Sequence, residues 1–212
     1  AYAEVSTVRI ARNFGTAYLQ LMVMQHQALI EKHAKAMGLG DLKVEWAQFA
    51  AGAHMNDALL AGKLDIASGG VPPFLTLWSR TQGNLNVKGI TTLCSMPLYL
   101  VTRNPGIKTV RDYGPSDRIS IAGAGSSIQT IVLQMAVAKE FGIANYAKLN
   151  PNMINLPHPD GLTALLAGDK QIESLLSAPP YQNQALERPG IRRVLSSYEV
   201  LGGPATFDLA WT

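Results

Sequence analysis

The feature that most constrains this chain is an alternation of short strand signals with helical periodicity, which runs once through the first hundred residues and then starts again. Alternation of this kind belongs to layered α/β proteins on mostly parallel strands, because each crossover must carry the chain back along a sheet face. In the first series, residues 8–11 read as a strand. After the turn Asn13-Phe14-Gly15, the residues Leu19, Met22, Val23, His26, Leu29, Ile30, His33 and Met37 fall on one face of a single long helix, which Gly38 and Gly40 stop. Residues 44–48 form a second strand, and a loop through Ala51-Gly52-Ala53 leads to a helix ending at Gly62. Residues 64–68 form a third strand, Gly69-Gly70 a turn, and Pro72-Pro73 opens another helix. An extended stretch over 87–102 is broken at Met96-Pro97.

Past the turn Asn104-Pro105-Gly106 the pattern resumes. Strands are expected at 118–122, 153–156, 171–176 and 192–196, and helices at 126–141, 161–167 and 179–186, the first two closed by Gly142 and Gly168. The last residues, 205–212, read as one more strand. A local repeat supports two lobes of similar plan. Ala58-Leu59-Leu60-Ala61-Gly62 recurs as Ala164-Leu165-Leu166-Ala167-Gly168, and each copy is followed by a strand (from Lys63 and from Lys170) and a Pro-Pro helix start, Pro72-Pro73 and Pro179-Pro180. Two α/β series of about a hundred residues each fit two lobes.

Composition removes several function classes. With 47% hydrophobic and 16% charged residues the chain has the means to bury a core. The 18 Lys and Arg against 15 Asp and Glu give +3, but the basic residues are scattered, so the stripe that a nucleic-acid surface needs is missing. No apolar run approaches the roughly 18 residues of a membrane span. A lone Cys94 excludes a disulfide framework and any Cys-rich metal site. No His-x-x-x-His, His-Glu-x-x-His or carboxylate cluster offers a metal site, and neither metal nor cofactor is expected. Ala1-Tyr2-Ala3-Glu4 carries the Ala-x-Ala pattern at which signal peptidase cuts, which points to export unless the start is artificial.

The histidines suggest little catalysis. His26 and His33, seven apart on the long helix, read as a partly buried pair satisfied by neighbours, and His54 as a surface or capping residue. His158, in the loop Leu156-Pro157-His158-Pro159-Asp160, is the one histidine placed where ligands meet open sheets, though a structural loop role is the simpler reading. Gly123-Ala124-Gly125-Ser126-Ser127 begins like a dinucleotide fingerprint, but its sixth position is Ile128 and no strand-end acid follows about 20 residues on. What survives is a glycine loop that allows close backbone approach, with Ser126, Ser127 and Gln129 beside a helix start. Similar content stands at Asn13-Phe14-Gly15, at Ser68-Gly69-Gly70-Val71, and at Ser177-Ala178-Pro179 with Tyr181. A helix start contributes about 0.3–1 kcal/mol towards an anion. Several such starts, with charge-assisted hydrogen bonds of about 1.5–3 kcal/mol each, reach the ~8 kcal/mol of a micromolar complex. Any one of these turns alone is simply a loop; four at matched positions favour a binder of a small anionic or polar ligand.

In the order of these motifs the chain resembles the periplasmic substrate-binding proteins of ABC importers, in the group associated with nitrate, sulfonate and taurine. The resemblance runs through the first strand and long helix, Ala58-Leu59-Leu60-Ala61-Gly62-Lys63-Leu64-Asp65-Ile66-Ala67, Val110-Arg111-Asp112, the Ala122 to Ser127 loop and the second Leu-Leu-Ala-Gly. It implies a two-lobed α/β fold of the type II binding-protein kind, mostly parallel sheets flanked by helices, with two crossing hinge segments. Lobe 1 would take residues 1–97 and 204–212 and lobe 2 residues 98–203. Such relatives run on for about a hundred residues more, so the resemblance also implies a lobe 1 cut short, with apolar surface exposed. Ligand contacts carried over by resemblance are Asn13, Phe14, Gly15, Ser68, Gly69, Gly70, Val71, Ser126, Ser127, Gln129, Ala178, Pro179 and Tyr181, with Met96 and Tyr99 on the cleft wall and Thr206 and Phe207 on the return. Phe14 and Tyr181 would suit an organic solute better than nitrate. The implied protein is an exported, periplasmic monomer, not an enzyme, that closes on its solute and presents it to a membrane-embedded permease. Thiamine-pyrimidine-precursor binders and the related enzymes are the alternative; those enzymes carry a Cys-rich string that one cysteine does not supply.

Overall fold

The computed structural model describes residues 5–168 and 171–212; the chain start at Ala1-Tyr2-Ala3-Glu4 and Lys170 of the repeat lie outside the described residues. The chain divides into two compact units. Unit 1 holds the residues up to Cys94 together with Asp208–Thr212, and unit 2 is Ser95–Phe207.

In unit 1, β1 (Thr7–Arg12) pairs in parallel with β2 (Lys43–Gln48) and bridges in parallel, through Ile10 and Ile66, towards β3 (Ala67–Gly70). On the other side β10 (Phe207–Trp211) runs antiparallel to β3 and is followed by β4 (Gly89–Ser95). The helices are α1 (Leu19–His26), α2 (Leu29–Ala36), α3 (Gly52–Leu60) and α4 (Val71–Arg80). The single long helix expected over 19–37 is therefore two. Ala28 sits at φ 49°, ψ 46°, and a left-handed residue ends one helix and restarts the next in a new direction. The apolar face expected of it fails accordingly: Leu21 and Ala34 are buried, whereas Leu19 and Met37 face solvent.

Two glycine turns also differ from expectation. Gly69-Gly70 completes β3, and Gly52 already belongs to α3. Both follow from packing on Trp211, the fully buried centre of this core with Met55, Leu64, Leu77 and Leu209. A Cβ on Gly69 would stand 3.2 Å from the indole, and one on Gly52 2.9 Å from the Pro73 ring. The indole N–H donates to Asn56 Oδ1 at 3.1 Å, and the Asn56 amide donates to the Pro73 carbonyl at 2.8 Å.

Unit 2 carries a five-stranded sheet in the order β7 (Met153–Asn155), β6 (Ile119–Ile121), β8 (Ser174–Ser177), β5 (Tyr99–Thr102) and β9 (Arg192–Ser196). β6 is parallel to both of its neighbours, and β5 is antiparallel to both of its own. Helices α5 (Ile128–Phe141), α6 (His158–Ala167), α7 (Tyr181–Leu186) and α8 (Ser197–Leu201) cover it. The core runs through Leu100, Ile107, Ile119, Ile121, Val132, Leu133, Val137 and Leu176, each such aliphatic contributing about 1.5–3 kcal/mol by leaving water. Ser127 caps α5 by accepting the Thr130 N–H at 3.3 Å. α8, which the sequence reading omits, is opened by a capping box of Ser196 and Glu199. α6 starts three residues before its expected position, so His158 opens a helix rather than lying in a loop. That helix lies very close to the sheet: a Cβ on Gly161 would stand 2.3 Å from Ser120 Oγ and 3.0 Å from Leu175 Cδ1.

Candidate ligand-binding residues of the two units

In an open α/β sheet, ligands meet the carboxyl ends of the parallel strands. In unit 1 that edge is formed by the end of β1, where Asn13-Phe14-Gly15 leads into a short 3-10 turn over Thr16–Tyr18, and by the end of β3, where Gly70 gives way to α4. Register places Asp208 of β10 directly opposite Gly70, on the same edge. A hydrogen-bonded chain results: Asn13 Nδ2 donates to the Tyr18 hydroxyl at 3.2 Å, and that hydroxyl donates to Asp208 Oδ1 at 2.8 Å. Asn13 Oδ1 is buried with no partner. Burial pushes the Asp208 carboxyl up to about 6, against the pull of the Tyr18 hydroxyl. Burial, followed by the Asp208 charge, raises the Tyr18 hydroxyl well above its ordinary value. The same two causes push the Cys94 thiol up to about 11.

This edge is poorer in donors than its turns suggest. Pro72 and Pro73 remove two N–H groups from the first turn of α4. The Ser68 hydroxyl is engaged inside the sheet, donating to the Ala11 carbonyl at 2.8 Å, and its N–H points to Met55 Sδ at 3.4 Å. Gly69 packs on Trp211, and Val71 packs against the same core. Of the residues named from sequence, Gly70 stands opposite Asp208 and Asn13 reaches it through Tyr18. Asp208 and Tyr18 went unnamed.

In unit 2 the edge is formed by the ends of β6, β7 and β8. The glycine loop after β6 adopts left-handed values at Gly123 (φ 67°) and Gly125 (φ 97°), which favour glycine. Its backbone donors are turned inward. Gly123 N–H donates to Asn155 Oδ1 at 2.9 Å, Gly125 N–H to Thr130 Oγ1 at 3.0 Å, and the N–H groups of Ser126 and Ser127 to the Gly123 carbonyl at 3.2 and 3.0 Å. These amides hold the loop's own shape.

What the edge does carry is a buried side-chain network. His158, the first residue of α6, places Nδ1 2.7 Å from Ser177 Oγ at the end of β8 and Nε2 3.3 Å from the Gln129 amide nitrogen in the first turn of α5. Its ring stacks on Tyr181, the first residue of α7, with centroids 5.7 Å apart and planes 11° apart. Burial lowers the imidazole to about 4, so it is neutral at physiological pH.

Gln129 and Tyr181 are therefore brought together with a histidine that the sequence reading left as structural. Ser126 is exposed and Ser127 is engaged as the α5 cap, while Ala178 is buried in the core. The Tyr99 N–H donates to Gln182 Oε1 at 2.8 Å and its ring lies under the Arg193 guanidinium at 5.1 Å. Met96 N–H donates to the Thr206 carbonyl at 3.2 Å, the Thr206 hydroxyl lies 2.7 Å from Ser197 Oγ, and Phe207 is exposed. Among the described residues no cluster of His, Cys, Asp and Glu is arranged to hold a metal ion, and no helix is long and apolar enough to cross a membrane.

Two α/β units linked by two chain passages, each with ligand-type residues at the carboxyl edge of its parallel strands, define the periplasmic-binding-protein fold. Solved structures of that fold are similar throughout the chain. The alkanesulfonate-binding protein SsuA of Xanthomonas axonopodis pv. citri, bound to MOPS, matches with a TM-score of 0.73 at 20% identity, over 98% of this chain and 66% of that one. The periplasmic aliphatic sulphonate binding protein SsuA of Escherichia coli matches with a TM-score of 0.65 at 21% identity, over 98% and 65%. The periplasmic nitrate-binding protein NrtA of Synechocystis PCC 6803 matches with a TM-score of 0.69 at 14% identity, over 100% and 56%. The chain thus spans two thirds or less of the length of each. A search of curated proteins finds no match. The model of the NMT1-like family matches residues 1–207, and the chain belongs to that family.

Proposed function

We propose that this protein is the solute-binding component of an ABC uptake system, exported to the periplasm and acting as a monomer. It takes up a small organic solute that carries a protonated amine beside an anionic, sulfonate-like group, and it delivers the solute unchanged to a membrane-embedded permease. Both units contribute contacts, and binding favours the closed arrangement by the solute's differential affinity for it.

One observation carries the ligand class: the unit 1 edge pairs an unpartnered buried amide oxygen, on Asn13, with the Asp208 carboxylate, joined through Tyr18. An acceptor-rich, donor-poor edge answers a group that donates hydrogen bonds and bears positive charge. Nitrate, which only accepts, fits it badly. The anionic end is left to unit 2, with the exposed Ser126 beside the amino end of α5 and the Tyr181 ring to cover an organic body. Capture without conversion is supported by the Cys94 thiol, which at about 11 stays protonated and is a weak nucleophile.

Calorimetric titration of taurine against isethionate, which has a hydroxyl in place of the amine, tests this reading. Taurine binds more tightly, and its affinity rises as pH passes through about 6 and Asp208 ionises. Asp208→Asn weakens taurine by roughly 10- to 150-fold, the equivalent of one charged hydrogen bond, and barely changes isethionate. Tighter binding of nitrate or isethionate by the unaltered protein would overturn the reading.

A further inference from the structure

With the Gln129 amide nitrogen turned to the ring, His158 has one consistent protonation pattern. The Gln129 amide nitrogen always donates, so the imidazole Nε2 that it faces at 3.3 Å accepts and carries no proton. The single proton of the neutral ring is then on Nδ1, and it donates to Ser177 Oγ at 2.7 Å. Both partners of the ring inherit a polarity from it. Gln129 gives one of its two N–H donors to the ring, and that orientation turns Oε1 away from the ring as an acceptor. Ser177 has its oxygen engaged as an acceptor, which leaves its hydroxyl proton to donate. Moving the ring proton to Nε2 would reverse both: the Gln129 amide would turn its oxygen to the ring and offer its NH2 group, and Ser177 would give its proton to Nδ1.

Placement connects the network to ligand recognition. Ser177 ends β8, Gln129 lies in the first turn of α5, His158 begins α6 and Tyr181 begins α7, so four segments meet at the carboxyl edge of the sheet. His158 is 6% exposed and Ser177 is fully buried, so water does not compete for these bonds. Stacking at 5.7 Å makes the same ring the support for Tyr181, which keeps part of its surface open.

We infer that His158 is the positioning residue of unit 2: as the neutral Nδ1–H tautomer it holds Gln129 oxygen-outward, keeps the Ser177 proton available and sets the plane of the Tyr181 ring, and so fixes which solute groups this unit accepts. The inference rests on the solute-binding reading above and concerns a residue that reading does not use.

Two measurements decide it. Nitrogen-15 spectra of the histidine side chains, assigned by loss of the His158 signals in His158→Phe, show Nδ1 protonated and Nε2 bare. In Gln129→Glu, whose carboxylate only accepts, the pattern reverses. Taurine titrations then rank the variants. His158→Gln keeps an acceptor for Gln129 and loses the stack, whereas His158→Phe keeps the stack and loses both hydrogen bonds. Positioning predicts that His158→Phe weakens taurine at least tenfold and that His158→Gln retains more affinity, even if its melting temperature is the lower. A purely structural histidine gives the opposite ranking. A proton on Nε2 in the unaltered protein, or unaltered taurine affinity in His158→Phe, would overturn the inference whatever the stability of the variants. Absence of taurine binding by the unaltered protein would instead count against the solute reading, and the spectra would still decide the tautomer.

Discussion

Unit 1 holds an acid at the carboxyl edge of its parallel strands and unit 2 buries a base at its own, and one cause, loss of water, drives both towards neutrality: Asp208 rises to about 6 and His158 falls to about 4. The contrast extends to their surroundings. Asp208 sits in a chain with an amide oxygen left unpartnered, whereas both ring nitrogens of His158 are engaged. Desolvation thus acts on an edge with an unpartnered acceptor in one unit and on a satisfied, oriented network in the other. The cores differ similarly. Unit 1 gathers around a single tryptophan, while unit 2 is packed from many aliphatic side chains.

The harshest test of that contrast is Trp211→Ala. It opens a cavity in the unit 1 core and leaves Asn56 Oδ1 without its donor, at a cost of about 3–5 kcal/mol. Hydrogen exchange resolved by unit should show unit 1 opening while unit 2 keeps its protection; equal loss in both would mean that the two cores are not independent. Next in size is pH. Asp208, raised in the folded state, contributes stability that is present below about 4 and lost as pH rises through about 6. His158, lowered, contributes stability that is present above about 6.5 and lost as pH falls through about 4. Between those limits unit 1 weakens with rising pH and unit 2 strengthens, each by about 3 kcal/mol. Exchange at pH 4.5 and 7, corrected for intrinsic rates, reads the two slopes, and slopes of the same sign would end the comparison. The smallest effect is at the break between α1 and α2. Ala28→Gly removes the left-handed penalty and should stabilise unit 1 by about 0.5–1 kcal/mol in urea unfolding, with no change in unit 2.

Much of the architecture is legible in local sequence because local physics sets it. The repeated Leu-Leu-Ala-Gly is a helix stop in both places, with Gly62 at φ 65° and Gly168 at φ 77°. The box from Ser196 to Glu199 marks α8 in the same local language. The break at Ala28 had no such sign: alanine is the best helix former, and neither glycine nor proline stands near it. Site residues divide along the same line. The Gln129 and Tyr181 positions follow from strand-turn-helix order. Asp208 joins its edge only because β10 returns beside β3, 190 positions from the Tyr18 it accepts from, and no local pattern encodes that pairing. The inward turn of the Gly123 amide likewise depends on Asn155, 32 residues further on.

The bare backbone at Gly161 has a reach well beyond its own position. One turn along α6 from His158, it lets the helix settle so low that the imidazole meets Ser177 at 2.7 Å. Add a methyl group there and it meets Ser120 Oγ at 2.3 Å and Leu175 Cδ1 at 3.0 Å, so those side chains or the helix itself have to give way. The closeness of the buried base to the sheet owes something to an atom the chain leaves out.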